Sequence, residues 1–422
     1  MTLLLILTAL FGVPLFCVIG AIGLYSFSAA EIDTSALIIE MVRLASAPTL
    51  LAIPLFTFTG YILAESNAPQ RLVAFTKALF GGIPGGISVV ALISCAFFSA
   101  FTGASGVTII ALGGLLYPML ESEHYPEKFK LGILTCSGSL GVIIPPSLPI
   151  IVYGVVAETP IDRLFLACII PAILLMGFIS FYSIKKGFAV HTVRIKFSLK
   201  ELISTAKAAA FEIPLPIIIL GGIYSGLFTA TEAAAISALY VLVVEVFIYR
   251  DLHFFRDIPR AMYKSMVLIG GILIILGTAL GVTNFMIDEQ IPMRLLEMIQ
   301  QYITSKWIFL ILLNIFLLIV GGLMDIFSAI IVVVPLIKPI AFHYGIDPVH
   351  LGIIFLCNLQ IGYCTPPIGM NLFIASTRFD RSIIDLYKAS APFLLILLIG
   401  LAFLTYIPWL SIGLESLLST AP

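Results

Sequence analysis

The sequence predicts an all-α polytopic membrane protein, and three observations carry this prediction. Hydrophobic residues make up 60% of the 422 residues, whereas charged residues make up only 11%. The mean hydropathy of +1.15 lies far above the range of soluble domains. Long apolar runs recur along the whole chain, and a single membrane span needs about 20 such residues. Most of the chain is therefore expected to lie in a bilayer.

The apolar runs give roughly eleven elements, and several are too short or too interrupted to be simple spans. In order, they cover residues 3–25, 50–63, 87–111, 131–156, 164–181, 213–248, 266–286, 307–320, 326–342, 351–375 and 393–410. The run 213–248 is long enough for two crossings, with a break expected near residues 224–231. The first run has no basic start and no cleavage site, so it is expected to be a span and not a signal peptide.

Two basic loops predict the orientation of the chain. Residues 185–207 carry six Lys or Arg residues against Glu201 alone. The positive-inside rule places this segment in the cytoplasm. Residues 250–264 carry four Lys or Arg residues and favour the same side. An even number of crossings is therefore expected between the two loops.

The chain is internally duplicated. Residues 130–133 resemble residues 350–353, at an offset of 220 for Leu131 and Leu351. Further matches at offsets of 221 to 223 pair Pro145 with Pro366, Pro146 with Pro367, Pro171 with Pro392, and Arg71 with Arg294. An offset that drifts so little indicates a repeat. We expect a first inverted repeat at 1–183, a basic connector at 184–211 and a second inverted repeat at 212–422, because opposed halves with interrupted helices are typical of secondary transporters.

Each half contains a Pro-Pro break within an apolar run. The sequences are GSLGVIIPPSLP (138–149) and GYCTPPIGMN (362–371), and they predict discontinuous helices at about 129–157 and 350–376. Proline removes a backbone donor and strands a carbonyl, which lipid cannot satisfy. The freed carbonyls can bind a cation, and the amides that open the next half-helix can bind an anion. A kink that only shapes packing is the alternative.

A segment rich in small residues precedes each break. Residues 97–120 and 321–340 are predicted to form two re-entrant hairpins with glycine-rich tips. In the first hairpin, Thr102, Ser105 and Thr108 offer hard oxygen ligands that suit sodium. The alternative is that these small residues serve helix packing, as they commonly do in membranes.

Several long motifs resemble one known family. FTGASGVTIIALGGLLYP, GSLGVIIPPSLPIIVYG, LFLACIIP, FTATEAAA, GGLMDIFSAIIVVVP and GYCTPPIGMNLFIAS are similar to the large membrane subunit (DctM type) of tripartite ATP-independent periplasmic (TRAP) transporters. The resemblance covers essentially the whole chain. It is specific to the family and leaves the substrate open.

The resemblance implies an architecture and a set of partners. The fold would be similar to that of the ion transporter superfamily, with a moving body that carries substrate and sodium past a scaffold, as an elevator. The partners would be a small four-helix membrane subunit, expected as a separate chain, and a periplasmic substrate-binding protein. The location would be the bacterial inner membrane. The substrate would be an organic acid such as a C4-dicarboxylate or a sialic acid, and sodium would be the coupling ion.

The resemblance also implies site residues, carried over by position. One sodium site would comprise Thr102, Gly103, Ser105, Gly138, Ser139, Gly141 and Pro145. The other would comprise Gly321, Gly322, Asp325, Thr365, Pro366 and Gly369. Many relatives have two serines at the first tip, where this chain has Ala104 and Ser105. The substrate would lie between the two sites, in contact with Ser147, Asn358, Gln360 and Asn371.

Isolated charges within apolar runs need their own interpretation. A carboxylate in a span costs about 2.5–3.5 kcal/mol, so Asp325 is a functional candidate, either as a sodium ligand or as a group that orients the tip. A tip that reaches water is the alternative. Glu232 is expected to cap a helix after Thr229. Arg71 and Arg294 are expected to brace helices at the interface. Arg378 and Arg381 are expected to anchor a cytoplasmic end, with contact to a substrate carboxylate as the alternative.

Other functions receive less support from the sequence. A net charge of −1 argues against nucleic-acid binding. No metal-ligand spacing occurs among the cysteines and histidines, so no cofactor and no metal other than sodium are expected. No motif of an intramembrane enzyme is present. An ion channel and a sodium-coupled carboxylate carrier that works without a binding protein stay open as alternatives.

Overall fold

The computed structural model describes residues 13–190, 197–366 and 368–419, and every regular element within them is helical. Eight of these helices are long and apolar enough to cross a membrane. A ninth crossing results if Glu127–Ile143 and Leu148–Val156 form one bent span. The predicted all-α polytopic fold is confirmed. The start of the run 3–25 lies outside the described residues.

The described part of the first half contains nine α-helices. They are α1 (Leu15–Ala29), α2 (Ser35–Ala45), α3 (Ala52–Glu65), α4 (Ala68–Phe80), α5 (Gly86–Thr102), α6 (Ser105–Ser122), α7 (Glu127–Leu140), α8 (Leu148–Val156) and α9 (Ile161–Val190). Short 3₁₀ turns, Pro48–Leu51 and Gly141–Ile143, precede α3 and follow α7.

The described part of the second half contains eleven α-helices. They are α10 (Leu199–Ala208), α11 (Leu215–Tyr224), α12 (Ala230–Val243), α13 (Asp257–Asp288), α14 (Ile291–Tyr302), α15 (Lys306–Leu323), α16 (Ile326–His343), α17 (Pro348–Gly362), α18 (Met370–Phe379), α19 (Ile383–Tyr406) and α20 (Trp409–Ser419). A π-helical turn, Val244–Ile248, extends α12.

Two details of the second half confirm sequence predictions. Residues 225–229 separate α11 from α12, where the run 213–248 was expected to break. Thr229 and Glu232 form a capping box at the start of α12. The Glu232 amide donates to Thr229 Oγ1 at 3.2 Å, and the Thr229 amide donates to Glu232 Oε2 at 2.8 Å. Glu232 is therefore a helix-capping residue.

Each half contains a helix pair with a short turn, followed by a helix pair with a longer break. α5 and α6 meet at residues 103–104 and form hairpin 1, while α15 and α16 meet at residues 324–325 and form hairpin 2. Their arms extend well beyond the expected 97–120 and 321–340. The first broken helix is α7 with α8, bent by 43°, and the second is α17 with α18, interrupted at residues 363–369.

One end of the molecule, here called the basic end, lies where α9 leads into the basic connector. A side chain at Gly85, just before hairpin 1, would lie 3.0 Å from Ile184 Cα in α9. Phe129, in the first turn of α7, packs 6.0 Å from the Tyr182 ring of α9. Hairpin 1 and the first broken helix therefore begin at this end.

Hairpin 2 begins at the opposite end. Lys306 Nζ, at the start of α15, donates to Gly345 O at 3.0 Å, just before α17. The start of α17 in turn meets the end of α8, because Tyr153 Oη donates to Pro348 O at 3.1 Å. The two hairpins thus enter the molecule from opposite ends.

Arg71 on α4 ties three acidic groups together at the basic end. Its guanidinium donates to Glu212, to both Glu245 oxygens at 2.9 and 3.0 Å, and to Asp251 at 2.5 Å. Burial opposes the charge on Arg71, but the hydrogen bonds and charges of these carboxylates outweigh it and raise the pKa of Arg71. The ring of Tyr249 lies 3.8 Å from the guanidinium carbon. This cluster fastens α4 to the segments on both sides of α11 and α12.

We expect Arg71→Met to destabilise the protein strongly, because it leaves three largely buried carboxylates without their partner. Breaking a buried ion pair costs about 3–5 kcal/mol. The measurement is the midpoint of thermal unfolding in detergent. The control is Arg294→Met at the matching repeat position, where the side chain is 72% exposed and 4.0 Å from Glu289. Equal shifts for the two variants would contradict the role of Arg71.

Candidate functional site

The tips of the two hairpins meet at a cavity of about 580 Å³. Residues 103–107 of hairpin 1 and 325–327 of hairpin 2 form two of its sides. Tyr363, Met370 and Ile374 contribute from the second broken helix. Residues of α13 between 267 and 275 and Tyr61 of α3 complete the lining. The cavity therefore lies between the hairpins and broken helices on one side and α13 with Tyr61 on the other.

Three helices begin at this cavity. α6 starts at Ser105, α16 at Ile326 and α18 at Met370, and all three residues line the cavity. A helix N-terminus carries a partial positive charge and free amide groups. No side chain caps α6 or α18. The cavity thus presents two uncapped helix N-termini, which suit a negatively charged group.

Asn371 connects hairpin 1 with both broken helices. Ser105 Oγ donates to Asn371 Oδ1 at 2.6 Å, and the Asn371 amide donates to Tyr363 O at 3.1 Å. Asn371 Nδ2 donates to Thr135 O of α7 at 3.5 Å. A side chain at Gly138 would lie 3.1 Å from Ser105 O. Of the predicted residues, Ser105, Gly138 and Asn371 are therefore brought together.

Oxygen atoms gather around Thr102 at the tip of hairpin 1. Thr102 Oγ1 lies 3.4 Å from Thr108 Oγ1, 3.4 Å from Ala104 O and 3.5 Å from Ser99 O. These separations exceed the usual 2.7–2.8 Å of a hydroxyl hydrogen bond. Oxygen ligands about 2.4 Å from a calcium-sized cation lie about 3.4 Å apart when they subtend a right angle. The group offers the hydroxyl and carbonyl oxygens that small hard cations prefer.

Two other residues predicted for the first sodium site, Gly103 and Gly141, pack at this tip or against its helix, whereas Ser139 and Pro145 are not shown to contact it. Gly103 has a left-handed φ of +64°, and a side chain there would lie 2.7 Å from Leu148 Cβ, directly after the first break. Gly141 packs against Ser99 and Ala100 of α5. Ser139 Oγ lies 3.9 Å from Cys364 Sγ. Pro145 belongs to the break itself and forms a cis peptide bond with Pro146.

Hairpin 2 and the second break share their backbone groups. The amides of Ile368 and Gly369 donate to Gly322 O at 3.2 and 3.1 Å. A side chain at Gly322 would lie 3.1 Å from Pro366 O and 3.2 Å from Thr365 Oγ1. Gly321 backs directly onto Gly362, where a side chain would lie 2.6 Å from Gly321 Cα. Gly321, Gly322, Thr365, Pro366 and Gly369 are thus neighbours, as the prediction requires.

Asp325 caps the first turn of α16. Its Oδ1 accepts from the amides of Phe327 and Ser328 at 3.0 and 3.1 Å, and its Oδ2 accepts from Ser328 Oγ. Tyr363 Oη accepts from the Ile326 amide at 2.6 Å. Asp325 therefore orients the tip of hairpin 2, one of its two expected roles, while sodium binding by Asp325 stays a prediction.

The other predicted substrate residues do not line the cavity. Asn358 Nδ2 donates to Asn314 Oδ1 of α15 at 2.6 Å and to Ile354 O at 2.8 Å. Ser147 and Gln360 are fully buried, and no hydrogen-bond partner for their side chains lies within the described residues. Only Asn371 is held against a cavity residue. Substrate contact by these four residues stays a prediction.

Two candidate functional residues were not predicted from the sequence. Tyr363 lines the cavity, and its hydroxyl accepts a hydrogen bond from the start of α16. A hydroxyl directly beside the second Pro-Pro break could have indicated this role. Asn314 partners Asn358 and stands alone in the apolar run 307–320.

A multi-pass helical protein whose broken helices and hairpin tips surround a central cavity is a membrane transport protein. Residues 2–410 match the family model described as the tripartite ATP-independent periplasmic transporter, DctM component. The chain belongs to this family. It is a transporter permease of the bacterial inner membrane and not an enzyme.

Named relatives agree with this assignment, and a solved structure is similar in fold. The chain is 33% identical to the C4-dicarboxylate TRAP transporter large permease protein DctM of Rhodobacter capsulatus, over 98% of each chain. It is 36% identical to the protein of the same name from Pseudomonas aeruginosa, over 94% of this chain and 92% of the other. The crystal structure of the Alcanivorax borkumensis YdaH transporter is similar in fold, with a TM-score of 0.66, 13% identity and 98% coverage of both chains.

We expect Gly103→Ala to disturb the tip of hairpin 1 more than a matched glycine change disturbs a loop. A left-handed alanine costs about 1–2 kcal/mol wherever it is placed. Gly226→Ala is the control, because Gly226 has a φ of +73° but nothing within 4 Å of an added side chain. Only the change at Gly103 meets Leu148. Thermal unfolding should therefore show the larger shift for Gly103→Ala, and equal shifts would contradict the contact between the tip and the break.

Proposed function

We propose that this chain is the large membrane subunit of a TRAP transporter that drives sodium-coupled uptake of an organic acid. The observation that carries the proposal is the cavity at which both hairpin tips and the second broken helix meet. Family membership supports transport as the activity. The geometry of the cavity supports an anionic substrate and a cationic coupling ion.

The anionic group of the substrate binds at the starts of α6 and α18. The start of α6 supplies amide donors, whereas at α18 the Asn371 amide already donates to Tyr363 O. Each helix dipole contributes about 0.3–1 kcal/mol toward a negative charge, or about 2 kcal/mol where it is partly buried. The hydroxyl of Ser105 is at the same place, although it already donates to Asn371. Backbone donors suit a carboxylate or a sulfonate equally, so they leave the rest of the substrate open.

Sodium binds at the two tips in this proposal. The oxygens around Thr102 form the first candidate site, and the carbonyls and hydroxyl of residues 362–366 beside Gly322 form the second. Both lie next to helix N-termini of the cavity. A cation at either place strengthens anion binding, because opposite charges attract strongly in a medium of low dielectric constant. This proximity is the physical basis of coupling.

The substrate class is an organic acid. Relatives of this chain carry names for the transport of C4-dicarboxylates, sialic acid, isethionate and ectoine. These compounds share an acidic oxygen group and little else. The helix N-termini can bind this shared acidic group. They therefore support an organic acid as substrate but do not favour any one of the four compounds.

The proposed transport movement is an elevator. By the positive-inside rule the basic end faces the cytoplasm, so hairpin 1 opens toward the cytoplasm and hairpin 2 toward the periplasm. The hairpins and broken helices form the moving body in this proposal, and α13 belongs to the scaffold. A separate small four-helix subunit and a periplasmic binding protein complete the transporter, which the tripartite family description supports.

We expect uptake to require all three proteins and a sodium gradient. The test reconstitutes this chain with the small subunit and binding protein encoded beside it, and measures uptake of succinate, sialic acid, isethionate and ectoine. Omitting each protein in turn, and replacing the sodium gradient by a potassium gradient, should abolish uptake. Uptake by this chain alone would make it a stand-alone carrier, and full uptake without sodium would overturn the coupling.

We expect Thr102→Val and Thr365→Val to raise the sodium concentration that gives half-maximal uptake. Each change removes a hydroxyl oxygen from a candidate sodium site and keeps the side-chain shape. Thr57→Val is the matched control, because the buried Thr57 hydroxyl donates to Ile53 O within its own helix at 2.7 Å. A sodium dependence that moves no more in the two site variants than in the control would exclude these hydroxyls as ligands.

A further inference from the structure

No cationic side chain lines the cavity within the described part of the chain. Among the described lining residues the one charged side chain is that of Asp325, whose oxygens already accept hydrogen bonds from the first turn of α16. An organic acid that leaves the helix N-termini therefore needs a counter-charge elsewhere along its route. Two helices, α6 and α18, run from the cavity toward the basic end, so a counter-charge between them would lie on this route.

Arg378 occupies that route. Ile110 of α6 and Ile374 of α18 both line the cavity. Four residues further along each helix, or about 6 Å, lie Gly114 and Arg378. A side chain at Gly114 would collide with the Arg378 guanidinium, so Arg378 extends across the surface of α6 where this glycine leaves room. The guanidinium thus lies one helical turn beyond the cavity wall, between the two helices that form it.

The charge of Arg378 is available to a ligand. Its side chain is exposed, and within the described residues it has neither a hydrogen bond nor a carboxylate within 4 Å. Neighbouring cations at the same end are engaged: Arg381 donates to Glu127 at 2.6 Å, and Lys130 donates to Glu121 at 2.9 Å. An arginine presents a planar set of donors that matches a carboxylate or sulfonate.

We propose that Arg378 binds the acidic group of the transported organic acid at the basic end of the cavity and so sets the affinity on that side. This role rests on the proposed function, because it concerns the same substrate. Because the guanidinium lies about one helical turn beyond Ile110 and Ile374, an acid that leaves Ser105 and Met370 along α6 and α18 would pass it. Gly114 contributes to this arrangement, because only a residue without a side chain at this position lets the guanidinium pack against α6.

The test uses the transporter reconstituted with its partner proteins and whichever of succinate, sialic acid, isethionate and ectoine the wild type takes up. The measured quantity is half-saturation from the basic side, obtained by counterflow with internal substrate. Losing a charged hydrogen bond weakens binding by about tenfold or more. Arg378→Gln should therefore raise internal half-saturation about tenfold, and Arg378→Lys should restore part of it. Arg381→Gln, which removes an equal charge at the same end, should leave it unchanged.

Gly114→Ala provides a second route to the same conclusion, because it keeps the charge and displaces the guanidinium. It should raise internal half-saturation in the wild type and have no further effect in Arg378→Gln. Equal half-saturation in Arg378→Gln and Arg381→Gln, with normal sodium-driven uptake, would overturn the role of Arg378 and leave the proposed function standing. A wild-type complex that transports none of the four acids would overturn the proposed function and this role together.

Discussion

The structure depends on one constraint: each break in a buried helix leaves peptide groups that only the protein itself can satisfy. In the second broken helix this need is met by the tip of hairpin 2. The carbonyl of Gly322 accepts two amides from the break, and the Tyr363 hydroxyl accepts the first amide of α16. The second helix break and the tip of hairpin 2 thereby satisfy each other's hydrogen-bonding groups. The cavity lies where these mutually dependent ends meet.

The two halves solve the same problem with different chemistry. The tip of hairpin 1 has no carboxylate and gathers hydroxyl and carbonyl oxygens around Thr102. The tip of hairpin 2 places Asp325 at the start of α16, where it satisfies two amides and a hydroxyl. The two halves also differ away from the cavity: Arg71 is enclosed by three carboxylates, whereas Arg294 is exposed. The two halves therefore share an order of hairpin and broken helix, while the contacts that stabilise each of them differ.

Much of this architecture could be predicted from the sequence, because helix breaks and caps are local. The Pro-Pro motifs predicted both broken helices, and Thr229 with Glu232 predicted the start of α12. The hairpin arms were predicted too short, since only the tips differ in composition from ordinary spans. The direction of Asn358 was not predictable for a related reason. Every residue of α17 from Val349 to Gly362 is buried, so no periodic pattern indicates which neighbour a given side chain faces.

The unequal polarity of the cavity wall bears on how a substrate would move. Most polar groups come from the hairpin tips and the second broken helix, namely the helix N-termini, Ser105, Asp325 and Tyr363, and Tyr61 of α3 adds one more hydroxyl. The α13 wall offers Val267, Leu268, Gly271, Ile272 and Ile275, which have no polar side-chain atom. An acid bound at the helix N-termini would therefore have only non-directional apolar contact with α13. Sliding along α13 would break no hydrogen bond to the substrate, whereas leaving the tips would break those made there. That difference is what the proposed elevator movement requires: the substrate stays with the hairpins and the wall moves past.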